Sequence, residues 1–163
     1  MRSIFLAGYF FAATLAVTGC AQQQLVHFPP FPAAEYSKLE RTGAGTVTGQ
    51  AFLRTKGGDV KSGAGSEIQL IPATSYSAVY YNAYKARLPT DNPDPQAKQY
   101  TFRTQADATG GFEFKNVPKG RYYLAGEVTW MAPGPYGLSK QGGLLLKEVN
   151  VSDGAQVKIM LTQ

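Results

Sequence analysis

Cys20 is the only cysteine in this 163-residue chain, and His27 is its only histidine. Those two residues bound the chemistry on offer. A Ser-His-Asp triad needs a histidine inside the folded domain, and His27 lies in a Pro-rich stretch ahead of the patterned sequence. One histidine and one cysteine do not assemble a zinc site. Asp91-Asn92-Pro93-Asp94 lacks the regular ligand spacing of a calcium loop, and Pro93 restricts it. The glycine pairs Gly43/Gly45 and Gly63/Gly65 have neither the spacing nor the following helix of a phosphate loop. The expectation is therefore a protein that is not an enzyme, with no catalytic residue, no metal and no cofactor.

The thiol of Cys20 has a different chemistry, set by its position. It follows a positive start, Met1-Arg2-Ser3, an apolar run from Ile4 to Ala16, and the small residues Val17-Thr18-Gly19. That is a secretory signal with a cut site, and its apolar part is short for a membrane span. Val17-Thr18-Gly19-Cys20 resembles the lipobox of bacterial lipoproteins, with Val in the place usually held by Leu. The resemblance implies removal of residues 1–19 and acylation of Cys20. It places the mature chain in the cell envelope, held to the lipid membrane through Cys20. Ala21 at the next position, not Asp, implies the outer membrane if the envelope is Gram-negative.

Aromatic side chains are the remaining candidates for binding. Trp130 precedes Met131-Ala132-Pro133-Gly134-Pro135-Tyr136-Gly137-Leu138, which reads as a loop, and residues 73–98 supply Tyr76, Tyr80, Tyr81 and Tyr84. Aromatics on rigid loops stack on sugar rings or anchor a partner peptide. The competing reading puts Trp130 in the core and uses Tyr80 and Tyr84 to pack the 73–98 segment on a sheet. Tyr76, Tyr81, Tyr136 and Trp130 form the candidate binding set.

These residues need a scaffold, and the sequence describes one. Loss of residues 1–19 removes only Arg2 from a net charge of +5, and the remaining Lys and Arg are scattered. No basic block marks a nucleic-acid surface. The length suits one domain, and no thiol is left for disulfides. Residues 20–44 carry the lipidated cysteine and read as a tether, with polyproline character at Phe28-Pro29-Pro30-Phe31-Pro32. Phe28 and Phe31 packing across the domain is the alternative. From residue 45 to 163 the pattern is β-like. Val47, Gly49, Ala51 and Leu53 share one strand face; Ile68 and Leu70 mark a second strand. Further strands are expected at 99–104, 112–114, 122–130, 144–151 and 156–161. Between the second and third, Tyr76, Tyr80 and Tyr84 at i, i+4 and i+8 predict a short helix capped by Thr74 or Ser75. This 73–98 insert lies between two strands, so the sandwich can close without it.

One stretch is specific. Asp107-Ala108-Thr109-Gly110-Gly111-Phe112-Glu113-Phe114, continuing to Val117-Pro118-Lys119-Gly120-Arg121-Tyr122, resembles the motif of carboxypeptidase regulatory-like domains. The resemblance spans about residues 46–162 and implies an all-β, transthyretin-like antiparallel β-sandwich of about seven strands. It implies a fold without an activity. Two sandwich enzyme families, the hydroxyisourate hydrolases and the intradiol dioxygenases, depend on several histidines that this chain lacks. The expected function is that of a membrane-anchored lipoprotein with a non-catalytic protein-binding or structural role beside an envelope protein. The alternative is a carbohydrate-binding module that meets a glycan with its tyrosine-rich loops. Nucleic acid is not an expected partner.

Overall fold

A computed structural model describes residues 24–163; Cys20 and the expected signal peptide lie outside the described residues. Eight strands are present among the described residues: β1 (Gly45–Arg54), β2 (Val60–Ser62), β3 (Glu67–Pro72), β4 (Phe102–Gln105), β5 (Gly111–Val117), β6 (Gly120–Gly134), β7 (Gly137–Val151) and β8 (Gln156–Leu161). Three helices accompany them: α1 (Ala33–Tyr36), α2 (Ser75–Ala86) and α3 (Pro95–Lys98). The strands form two four-stranded sheets, one with the order β2-β1-β5 and β8 also on β1, the other β4-β3-β6-β7. The all-β sandwich expected from the strand spacing is what the chain forms. One pairing departs from an antiparallel plan: β8 runs parallel to β1, Thr46 to Ala51 beside Gln156 to Leu161.

The core lies between the sheets and follows the two-residue period of the strands. Val47, Ala51 and Leu53 of β1 face Ile68 and Leu70 of β3 and Leu124 and Val128 of β6, all buried. Each of the Val, Leu and Ile side chains contributes roughly 1.5–3 kcal/mol on leaving water. The hairpin into β5 is built as its residue types dictate. The Asp107 carboxylate accepts the Thr109 N–H at 2.7 Å, the Thr109 hydroxyl at 2.7 Å and the Gly111 N–H at 2.9 Å. These bonds, the Thr109 hydroxyl foremost, hold the Asp107 carboxyl below its ordinary range. Gly110 takes φ +84°, which its missing Cβ permits. Phe112 and Phe114 then both point inward.

Tyr122 closes this unit. It is buried, and its hydroxyl donates to the Pro118 carbonyl at 2.8 Å. Burial, with a smaller contribution from Glu40, pushes its phenol up to about 12. The neutral phenol is thus favoured by folding. Its contribution is complete below the ordinary tyrosine value of 10.0 and is lost as pH rises toward 12. Tyr122→Phe is expected to cost about 1–3 kcal/mol, since it leaves the Pro118 carbonyl without its partner. It is also expected to flatten the fall in stability between about pH 10 and 12. Chemical denaturation at pH 7 and 11 checks both; equal losses in the two proteins at pH 11 would remove Tyr122 as the cause.

Several elements differ from the sequence expectation. The third strand begins at Phe102 rather than at residue 99, because Pro95 and the Asp94 cap start α3 just before it. The 131–138 segment is strand and turn, not loop. It forms the end of a β6–β7 ribbon, in which Gly134 pairs with Gly137 around Pro135-Tyr136. Pro133 is tolerated there because β6 pairs with β3 only as far as Gly126, so among the described residues no strand pairs with that side of the ribbon. Residues 24–44 do not hang free. Val26 bridges to Thr90, its N–H donating to the Pro89 carbonyl at 2.9 Å, and Phe28 and Phe31 pack on Tyr76.

The insert forms a third layer. Thr74 caps α2 by accepting the Ser77 N–H, and the Ser77 hydroxyl answers with the Thr74 N–H, a reciprocal capping box. Tyr81 of α2 stacks on Tyr123 of β6, rings 4.4 Å apart and 12° from parallel. Tyr84 donates to the Leu144 carbonyl of β7 at 3.2 Å. The helix therefore covers the outer face of the β3-β6-β7 region. For that reason β6 is buried continuously from Tyr122 to Gly126 rather than at alternate positions.

Candidate functional site

α2 does not cover the outer sheet face completely. A cleft of about 410 Å³ opens where α2, the 90–98 loop with α3, and the outer faces of β3 and β4 meet. Its wall includes Tyr80 from α2, Gln69 from β3, Arg103 from β4, Asp91 and Asn92 from the loop, and Lys98 at the end of α3. Gln69 and Arg103 sit directly opposite each other in the β3–β4 pairing. A second cleft of about 400 Å³ is lined by Glu67, Glu127 and Thr129, and shares Gln69 and Tyr80 with the first. The two adjoin at Tyr80 and Gln69, which line both.

The loop wall of the cleft is fixed by hydrogen bonds. The Tyr76 hydroxyl accepts the Asp94 N–H at 2.8 Å. One Asp91 oxygen accepts the Phe28 N–H at 3.1 Å, and the other lies 3.1 Å from His27 Nδ1. An aromatic cluster backs this wall. Phe28 stacks on Tyr76 at 4.8 Å, Phe31 lies 4.7 Å from Tyr36, and Tyr36 meets Tyr100 edge-on at 5.1 Å. The Arg41 guanidinium sits over Tyr100 at 4.4 Å. The Glu35 carboxylate accepts from the Ser75 N–H and hydroxyl at the first turn of α2. Those bonds, the hydroxyl's first, hold Glu35 below its ordinary range. Burial, with a smaller contribution from Tyr84, raises the Tyr80 phenol.

The four aromatic residues singled out from the sequence are not brought together. Tyr76 is 2% exposed, packed by Phe28, Phe31 and Tyr36, and contributes to the inner lining of the cleft. Tyr81 is half-buried, with Tyr123 on one face and Lys85 Nζ 5.6 Å from its ring. Trp130 is half-buried at the root of the ribbon and packs against the core. Gly142, which pairs with the preceding Thr129, leaves the room: a Cβ there would stand 2.9 Å from the indole. Tyr136 is fully exposed at the ribbon tip, near the exposed Met131 and Leu138. The cleft residues Gln69, Lys98 and Arg103 are not among the sequence candidates, and Tyr80, one of the insert tyrosines, stands outside the candidate binding set because packing on the sheet is the favoured reading for it. A usable signal existed in β3. Ile68 and Leu70 mark the inner face, yet the outer face reads Glu67-Gln69-Ile71, too polar for a surface fully sealed by a helix.

The fold is a β-sandwich with a helical layer that leaves an open, mixed aromatic and polar cleft beside Tyr80. No family model and no curated protein matches the chain. It is similar to the crystal structure of PA1324 from Pseudomonas aeruginosa, a protein put forward as a carbohydrate binding protein. The TM-score is 0.74 and the identity 31%, over 83% of this chain and 99% of that one. The chain belongs to the same family as PA1324.

Proposed function

We propose that this chain is a lipid-anchored, non-catalytic carbohydrate-binding protein of the cell envelope, and that the Tyr80 cleft is its sugar site. The observation that carries the reading is the cleft itself. It combines an aromatic ring with amide, guanidinium, ammonium and hydroxyl groups along an open groove of about 410 Å³. Sugars need that mixture, C–H faces against a ring and hydroxyls against fixed polar groups. The kinship with PA1324 supports sugar over protein as the ligand. Binding rather than turnover fits His27, which is exposed and engaged by Asp91. The motif from Asp107 to Tyr122 supports a place among the carboxypeptidase regulatory-like folds. A protein-docking role has one observation in its favour: the ribbon exposes Met131 (57%), Leu138 (71%) and the whole of Tyr136.

A glycan array probed with the protein tests the sugar reading. Tyr80→Ala is expected to weaken the best hit about tenfold, a loss of about 1.4 kcal/mol. Tyr136→Ala is expected to leave it unchanged. The reverse order would move the site to the ribbon.

The anchor rests on Val17 to Cys20, and the docked N-terminal segment makes it short. Val26 is already held by Pro89 and Thr90. The roughly six residues from Cys20 to Val26 span at most about 20 Å. The effective tether is this piece, and the domain rides close to the bilayer with its insert end nearest the attachment. Two or three acyl chains give stable anchoring. Mass spectrometry of the mature N-terminus is expected to find acylated Cys20. An unmodified Cys20, or retained residues 1–19, would remove the anchor from this proposal.

A further inference from the structure

The charges around the cleft narrow the class of sugar. Resting on the sugar-binding reading above, we infer that the ligand is an acidic glycan, a uronic-acid polymer whose carboxylate seats between Lys98 and Arg103. Three features of the wall point there. Among the described residues Asp91 is the single carboxylate lining the first cleft, and both its oxygens are engaged, by the Phe28 N–H and by His27. Lys98 takes part in no ion pair among the described residues. Arg103 has only a 3.6 Å approach to Glu67, with its side chain 44% exposed, so its guanidinium retains donors for a ligand.

The remaining polar groups reinforce the bias. Thr90, Asn92 and Thr101 also line this wall and can donate. A neutral sugar presents hydroxyls that must donate as well as accept. Among the described residues this cleft has no free carboxylate to receive them, only the neutral acceptors of Gln69, Thr90, Asn92 and Thr101. A uronate presents an acceptor-only group, which matches two cations and several donors with charge-assisted bonds. The second cleft, of nearly the same volume, has carboxylates in its lining where the first has cations. It is lined by Glu67 and Glu127, with Glu127 held by Lys140 at 2.8 Å. An acidic chain would therefore place its carboxylate at the Lys98 end and its hydroxyls toward Glu67 and Glu127, giving the bound polymer one direction.

The test uses the full-length protein in a neutral detergent without sugar headgroups. It measures binding of a panel of uronic-acid oligosaccharides, each beside its carboxyl-reduced neutral counterpart. At low salt the acidic member of a pair is expected to bind at least about tenfold tighter. Raising sodium chloride to about 0.5 M is expected to shrink that advantage, since screening shortens to a few ångströms. Lys98→Gln with Arg103→Gln is expected to abolish the advantage while preserving the circular dichroism spectrum; Lys115→Gln on the opposite sheet is expected to keep it. Equal binding of both members of each pair would overturn the acidic assignment and leave sugar binding standing. Binding of neither member, with neutral and acidic glycans alike silent on an array, would overturn the sugar reading with it.

Discussion

Phe114→Ala is expected to lower the unfolding free energy by about 3–5 kcal/mol. Phe114 is 4% exposed, with Phe112 edge-on at 6.1 Å. It pairs across β1 with Val47, which is wholly buried. Truncation leaves a cavity where two sheets meet, and a stiff sandwich cannot close on it. The loss is a large share of the roughly 5–15 kcal/mol that a domain of this size possesses. Asp107→Ala removes three hydrogen bonds from the preceding turn, but at an exposed position where water replaces them. Its effect is expected to be clearly smaller. Urea titration of both variants checks the order, and a greater loss from Asp107→Ala would place the hairpin's stability in its turn instead of its core.

The second large effect concerns the insert. Replacing residues 75–97 with a short Gly/Ser linker is expected to give an unfolded or aggregating protein. The strand connectivity permits the deletion, and the sequence alone favours a dispensable loop. The packing argues otherwise. Tyr81 stacks on Tyr123, Ala83 is 3% exposed, and Ala125 is 5% exposed on a face that α2 covers. Removing α2 strips the buried Tyr123 and the half-buried Ile71 and Leu144 of their cover, at up to about 1.5–3 kcal/mol for each large side chain returned to water. It also strands Tyr36, Phe28 and Phe31, whose ring partners include Tyr76. The summed loss approaches the stability of the whole domain. Far-UV circular dichroism and a thermal melt decide the matter. A cooperative melt within a few degrees of the parent would show that the sheet face tolerates water and that the insert serves binding alone.

Some of this architecture is legible in the residues because it is local. Asp107, Gly110, Phe112, Phe114 and Tyr122 lie within one hairpin, and each obeys a rule of turn or strand that needs no distant partner. Thr74 with Ser77 caps α2 in the same local way. The cleft is different. Gln69, Tyr80, Asp91, Lys98 and Arg103 come from two strands, a helix and a loop, and only the β3–β4 register and the docking of α2 bring them together. The docking of the N-terminal segment is likewise a long-range event, in which Phe28 and Tyr36 meet Tyr76 and Tyr100. Read locally, Pro29, Pro30 and Pro32 argue for an extended tether. The ribbon shows a further limit. Pro133, Gly134 and Pro135 carry strong turn propensity, yet Pro133 stays in strand because, among the described residues, β6 has no strand partner but β7 beyond Gly126.

The central claim is that sugar binds in the Tyr80 cleft. Two-dimensional amide NMR of the protein, titrated with the best oligosaccharide from the array, tests it most directly. The expected result is a contiguous set of shifting amides at Gln69, Tyr80, Asn92, Lys98 and Arg103, with Tyr136 and Leu138 unmoved. Shifts confined to the Met131–Leu138 ribbon, or none at saturating sugar, would contradict the account.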